Sequence, residues 1–287
     1  MFVSYSLISV AVVMFSLGLF FSEEYERLGN NNIRASFRFT GGSFLVGFII
    51  LFIINKFTIK FTLFSAIVSL LGAFNSILYF IFTLKALSKI NLSLYSVFCS
   101  LGGMVLPFVA GLAFYHEKLT VGKALCLILI VAALAITVEK GNKSGGAVYY
   151  MGVFVFNGLS GVFAKFHNDA HFVKSDEASY SMMIALWCVL LCSILLIFNK
   201  DEKIKLTKKS VGCIAGYGTL NNIANLFLLL SLKKGLPASA QYPFVTGGIM
   251  IISTILCYFT PNKPKKKEIF SIILSFAGIM ILCLFDK

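Results

Sequence analysis

Asn75 and Tyr79 stand four residues apart in this sequence, as do Ser96 and Ser100, and Asn221 and Asn225, while Asn157 and Ser160 stand three apart. Such spacings put side chains on one face of a helix. Asn222 adjoins the third pair, and Gln241, Tyr242 and Thr246 add an amide, a phenol and a hydroxyl close together. All these groups exchange hydrogen bonds without carrying charge. They suit two kinds of chemistry. They can replace the hydration of a small solute, or they can join helix to helix at about 0.6–2 kcal/mol per bond. Lys165 comes one turn after Gly161 and reads either as a cation facing an interior or as an interfacial anchor. Arg34 and Arg38 are one turn apart. Arg34 can snorkel to headgroups, and Arg38 sits deeper, where an anionic solute would meet it or where it too would snorkel.

Reactive chemistry is missing from the pattern. The twelve Asp and Glu fall between apolar runs or at their ends, so no carboxylate marks a proton relay or cation site inside a run. No nucleophile–base pair, phosphate loop or zinc motif is present, and no cofactor or enzymatic activity is expected. His167 and His171 are four apart but lack further ligands and read as parts of a solvated joint. The seven cysteines lie inside apolar runs, where Cys acts as a small hydrophobe, and they imply no disulfide framework. Cys188 and Cys192 share a face without the rest of a metal set.

The elements that must position these groups follow from composition. Hydrophobic residues make up 58% of the 287 residues and charged ones 13%. One soluble core could not hide that much apolar surface, and disorder requires the opposite bias. The net charge of +13 forms no stripe or basic domain, which excludes a nucleic-acid partner; it lies between apolar segments, beside anionic headgroups. Ten segments near the length of a membrane-spanning helix can be marked: 2–21, 34–54, 61–83, 92–114, 120–138, 148–165, 178–198, 210–232, 238–260 and 268–285. The first has no basic residues before it and no small-residue cleavage site after it, so it reads as a retained helix. Short joints leave no room for a soluble domain.

The chain also resembles itself. At an offset of 145, residues 93–136 align with 238–281 without gaps, bringing Gly102 and Gly103 onto Gly247 and Gly248. At 146, Gly72 meets Gly218 and Asn75 meets Asn221; at 143, Ala35, Ser36 and Phe37 meet Ala178, Ser179 and Tyr180. The predicted fold is an all-α integral membrane bundle of ten transmembrane helices, built as two inverted five-helix repeats at 1–140 and 147–287. Five spans per repeat force the second copy to enter the membrane upside down, an arrangement common in secondary transporters. Equivalent mid-helix positions then face one central space, which makes Asn75 and Asn221 the leading pair for binding. The paired glycines serve close packing or a hinge.

The segment 102–120, GGMVLPFVAGLAFYHEKLT, resembles the end of the fourth helix in EamA-like members of the drug/metabolite transporter superfamily, with Pro107 followed about ten residues later by Glu117, Lys118 and Leu119. Ile252 and Asn262 stand where the second repeat would carry its Pro and Glu, and Pro243 sits earlier. The resemblance implies a carrier whose cavity is lined by the first, third, fourth, sixth, eighth and ninth helices. Small multidrug resistance proteins, distant relatives, rely on a Glu in their first helix, and residues 2–21 contain none.

These readings converge on a secondary transporter in the cell membrane, moving a small neutral or zwitterionic metabolite by alternating access. The candidate substrate-binding residues are Asn75, Tyr79, Ser96, Asn157, Ser160, Lys165, Asn221, Asn225, Gln241, Tyr242 and Thr246. A non-transporting scaffold or accessory subunit, and an organic-anion or multidrug exporter, remain alternatives. Partners are the solute and the lipid bilayer, with a homodimer left open. The resemblance implies cytoplasmic termini, although 16 of the 25 basic residues fall in the joints on the opposite side from the termini. Cytoplasmic termini are the expectation carried forward.

Overall fold

The computed structural model describes residues 2–29, 32–114, 146–199, 206–234, 238–260 and 263–285, with isolated helical positions at 121, 122, 125, 128, 129 and 132. The described residues form nine helices and no strand: α1 (Phe2–Arg27), α2 (Ile33–Ile54), α3 (Leu63–Leu87), α4 (Leu92–Phe114), α5 (Gly146–Asp169), α6 (Glu177–Phe198), α7 (Lys208–Lys233), α8 (Ala238–Cys257) and α9 (Lys266–Phe285). The expected span at 120–138 lies almost wholly outside the described residues. Five helices are each long and apolar enough to cross a membrane: α1, α2, α3, α5 and α6. With the shorter apolar stretches of α4, α8 and α9, they make this a membrane-embedded protein.

Local sequence explains the starts. Asn32 Oδ1 accepts from the Ala35 N–H at 2.7 Å, Asn91 Oδ1 from Leu94 at 2.9 Å, and Asp176 Oδ1 from Ser179 at 2.8 Å, capping α2, α4 and α6. Thr62 and Thr207 do the same for α3 and α7. Gly29, at φ +84°, follows α1 as a left-handed stop. Arg34 does more than reach for headgroups: its Nη1 donates to the Asn199 carbonyl at 2.7 Å, at the C-terminus of α6.

The first helix departs from expectation. It continues past residue 21 to Arg27, because Tyr25 is buried and its Oη donates to the Ala35 carbonyl at 3.1 Å. A helix stops at its cap, not where apolar composition ends. The extension carries Glu23 into helical structure, 2% exposed, with Oε2 bonded to nothing. A carboxylate read as part of a joint is therefore a buried helical one.

The first eight helices close a ring in the order α1, α7, α2, α6, α3, α5, α4, α8 and back to α1, each in contact with the next. Every step passes between the first part of the chain (α1–α4) and the second (α5–α8). Inside the ring α1 touches α3 and α4, and α2 touches α3. Among the described residues α5 touches neither α7 nor α8, and α6 does not touch α7. α9 packs outside on α8 and reaches α4.

Close crossings rely on glycine. A Cβ on Gly102 would collide with the Phe154 carbonyl, and one on Gly161 would lie 2.5 Å from Pro107 Cγ, so α4 and α5 meet backbone to backbone. Gly248 packs against Val12 and Gly247 against Phe276, so the matched glycine pairs both sit in tight packing contacts. The main core gathers at one end of the ring. There Phe39, Phe80 and Tyr217 cluster in tilted and edge-to-face contacts with centroids 5.1–5.6 Å apart, beside Leu84, Leu87, Leu92 and Tyr95. That end is called the Tyr95 end below, and the opposite one the His167 end.

Candidate functional site

Four expected site residues converge where α3, α4 and α5 meet. Asn75, at the middle of α3 and 5% exposed, donates through Nδ2 to the Phe156 carbonyl and to Ser160 Oγ, each at 2.8 Å. Ser160 in turn donates to the Phe156 carbonyl at 3.1 Å. Flipping the amide would aim Oδ1 at that carbonyl, acceptor against acceptor, so the orientation is fixed by the network. It leaves Oδ1 buried and without a partner. Asn157 Nδ2 donates to the Cys99 carbonyl at 2.6 Å, packed where a Cβ on Gly103 would lie 2.8 Å from it. Nδ2 of each amide thus joins helices, while Asn75 also keeps an acceptor in reserve.

Tyr79 continues the seam toward the Tyr95 end. Its Oη lies 2.7 Å from Tyr95 Oη and 3.3 Å from Cys99 Sγ, and Tyr95 Oη lies 3.1 Å from Thr83 Oγ1. The result is a buried chain of three hydroxyls and a thiol. Thr83, Tyr95 and Cys99 were not anticipated, although Tyr79 to Thr83 and Tyr95 to Cys99 are both i,i+4 spacings that could have flagged them.

The remaining candidates are dispersed. Ser96 Oγ donates to the Ser93 carbonyl of its own helix at 2.8 Å and stays out of the seam. Ser93 Oγ lies 3.1 Å from Thr254 Oγ1, joining α4 to α8. Asn221 is half-buried at mid-α7; Asn225 is exposed, and its Nδ2 donates to the Asn221 carbonyl at 2.9 Å. Asn222, not Asn221, packs against Gly47 of α2, with Nδ2 donating to the Gly218 carbonyl at 2.6 Å. Thr246 on α8 and Lys165 near the end of α5 are half-buried. The Gln241 and Tyr242 side chains, and Glu117, Lys118 and Leu119 of the sequence motif, lie outside the described residues.

His167 is no part of a solvated joint. It is 1% exposed, stacked between Tyr180 (centroids 4.0 Å apart) and Phe64 (6.0 Å). Its Nε2 lies 2.9 Å from Ser65 Oγ, which also accepts from the Ser175 N–H at 2.9 Å and from Thr62 Oγ1 at 2.8 Å. With both lone pairs of Ser65 taken, its proton goes to Nε2, which makes His167 the neutral Nδ1–H tautomer. His171 is exposed. No group of three metal-ligating side chains occurs among the described residues.

No known protein-family model matches this chain, and no curated protein matches it significantly.

Proposed function

We propose that the protein is a secondary carrier of a small neutral or zwitterionic metabolite, working by alternating access as an EamA-like member of the drug/metabolite transporter superfamily. The observation that carries this reading is Asn75 Oδ1, a buried acceptor without a donor at the middle of a membrane helix, on a seam between the two parts of the chain. A buried acceptor left unbonded costs about 1–3 kcal/mol. A solute N–H or O–H that reached it would recover that cost.

The proposed architecture is ten spans in two inverted repeats. Exchanging α1–α4 with α5–α8 reproduces every link of the ring but reverses its order. A twofold axis along the membrane normal would preserve that order, whereas an axis in the membrane plane reverses it, as inverted repeats require.

The test is a thermal-shift screen of purified protein against neutral and zwitterionic metabolites, repeated on Asn75→Leu. A ligand at about 100 times its Kd stabilises the folded state by about 2.7 kcal/mol. Stabilisation of the wild type that is lost in the folded variant supports the reading. Equal stabilisation of both removes Asn75 from the site, and no hit across the panel favours a non-transporting scaffold.

Glu23 favours a second reading, an exporter of organic cations. Its unbonded carboxylate oxygen is the kind of buried group that holds a cation or a proton. Stabilisation by tetraphenylphosphonium, abolished in Glu23→Gln, would select that reading over the first.

A further inference from the structure

The twofold pattern of helix pairing is broken in one respect, and the break falls inside the ring. Inside the ring α1 touches α3 and α4, and α2 touches α3; at the Tyr95 end Leu19 and Tyr25 of α1 share one core with Phe80 of α3 and Tyr95 of α4, and Phe39 of α2 meets Phe80. The equivalent meetings, α5 with α7 and α8 and α6 with α7, would fall at the His167 end, and they do not occur among the described residues. Matched positions show the same asymmetry. Leu84 on α3 is 0% exposed, and its partner at offset 146, Leu230 on α7, is 44% exposed. Tyr79 is buried, and its partner Asn225 is exposed.

Depth then discriminates between water and lipid. Ser160 lies nine residues before the end of α5, and Asn225 eight before the end of α7. At 1.5 Å per residue, that is about 12–14 Å of helix. It carries both deep into a hydrocarbon layer about 30 Å thick. Both are polar and exposed. Polar groups at that depth face protein or a water-filled space, not lipid.

From this we infer that the ring is open to water at the His167 end, through a mouth inside it bordered by α5 and α7. Ser160 and Asn225 line the mouth, and it brings a solute bearing N–H or O–H donors to Ser160, whose Oγ accepts from Asn75 Nδ2 at 2.8 Å, so that Asn75 lies one side chain beyond the open space. The clustered rings of Phe39, Phe80 and Tyr217 close the opposite end. The inference rests on the carrier reading and deepens it by naming the open side. The reverse state would bring α5 against α7 and part α1 from α3.

Four single-cysteine variants test it in a background with the native cysteines replaced: Ser160→Cys, Asn225→Cys, Leu84→Cys and, on an exposed face of α6, Leu190→Cys. Thiols react as thiolates and so need water. In nanodiscs, a charged maleimide should label Ser160→Cys and Asn225→Cys about tenfold or more faster than the other two. Reactivity at Ser160 and Asn225 no higher than at Leu190 overturns the mouth. Labelling of Leu84→Cys with protection of Asn225→Cys also overturns it but leaves a carrier, open at the other end. Four unreactive sites overturn it and count against a carrier as well. Should the cysteine-free background misfold, hydrogen exchange on the unmodified protein answers the same question. Amides around 225–230 should exchange faster than those around 79–84, and equal rates overturn the inference.

Discussion

Asn75 and Tyr95 belong to one polar seam but do different work, and substitution separates them. Tyr95→Phe keeps the ring and removes the central link of the buried hydroxyl chain. It should lower unfolding stability by about 0.5–1.5 kcal/mol and leave solute affinity unchanged, as read by calorimetry on the folded fraction. A different balance governs Asp176, in the joint before α6. Burial pushes its carboxyl up, but the hydrogen bonds from Ser179 and the nearby Lys60 ammonium, 3.6 Å away, outweigh that and hold it below the ordinary carboxylate value. A carboxyl lowered on folding stabilises above its unfolded pKa, about 3.9, and that contribution is lost as pH falls through the folded value. Melting temperature measured in detergent should therefore fall below about pH 4, and less steeply in Asp176→Asn. The spacing of Asn75, Tyr79, Asn157 and Ser160 made these residues legible as polar faces. Which helix each face meets is not written in single-helix spacing. His167 was misread for that reason, since the Ser65 that bonds it stands 102 residues away in the chain.

At the scale of elements, glycines that look alike in sequence carry opposite expectations. Gly102→Ala drives a methyl into the Phe154 carbonyl, which belongs to a neighbouring helix backbone that cannot rotate away. It should destabilise by about 1–3 kcal/mol. Gly212, in the second turn of α7, has nothing within 4 Å of where a Cβ would stand. Gly212→Ala should raise stability by about 0.5–1 kcal/mol through helix propensity alone. Chemical unfolding of the two variants side by side checks both signs. Apolar runs located all nine described helices, while the caps formed by Asn32, Thr62, Asn91, Asp176 and Thr207, which fix five of their starts, came to light only in the structure. The end of α1 was illegible, because the interaction that extends it joins Tyr25 to Ala35 across a turn. Hydropathy reports transfer to lipid and is blind to such a bond.

Among the described residues the two parts of the chain alternate around one ring, an interleaving that sequence offsets do not reveal. Interleaving has a consequence for how the protein is made. The ring neighbours of α2 are α6 and α7, and those of α4 are α5 and α8. While the ribosome is still translating the second part, each early helix waits in the bilayer beside lipid or translocon, with its eventual partners not yet synthesised. Assembly is therefore dominated by distant pairings, the slow and error-exposed kind. Residues 1–140 expressed alone should be degraded, as should 147–287, whereas co-expression of the two fragments should rescue both; pulse-chase labelling reads the half-lives. Persistence of either fragment alone would mean that it folds autonomously. In the intact chain, membrane quality control has a long interval in which to intercept the nascent polypeptide, and yield should depend on translation speed between the two parts more than on the strength of any single contact.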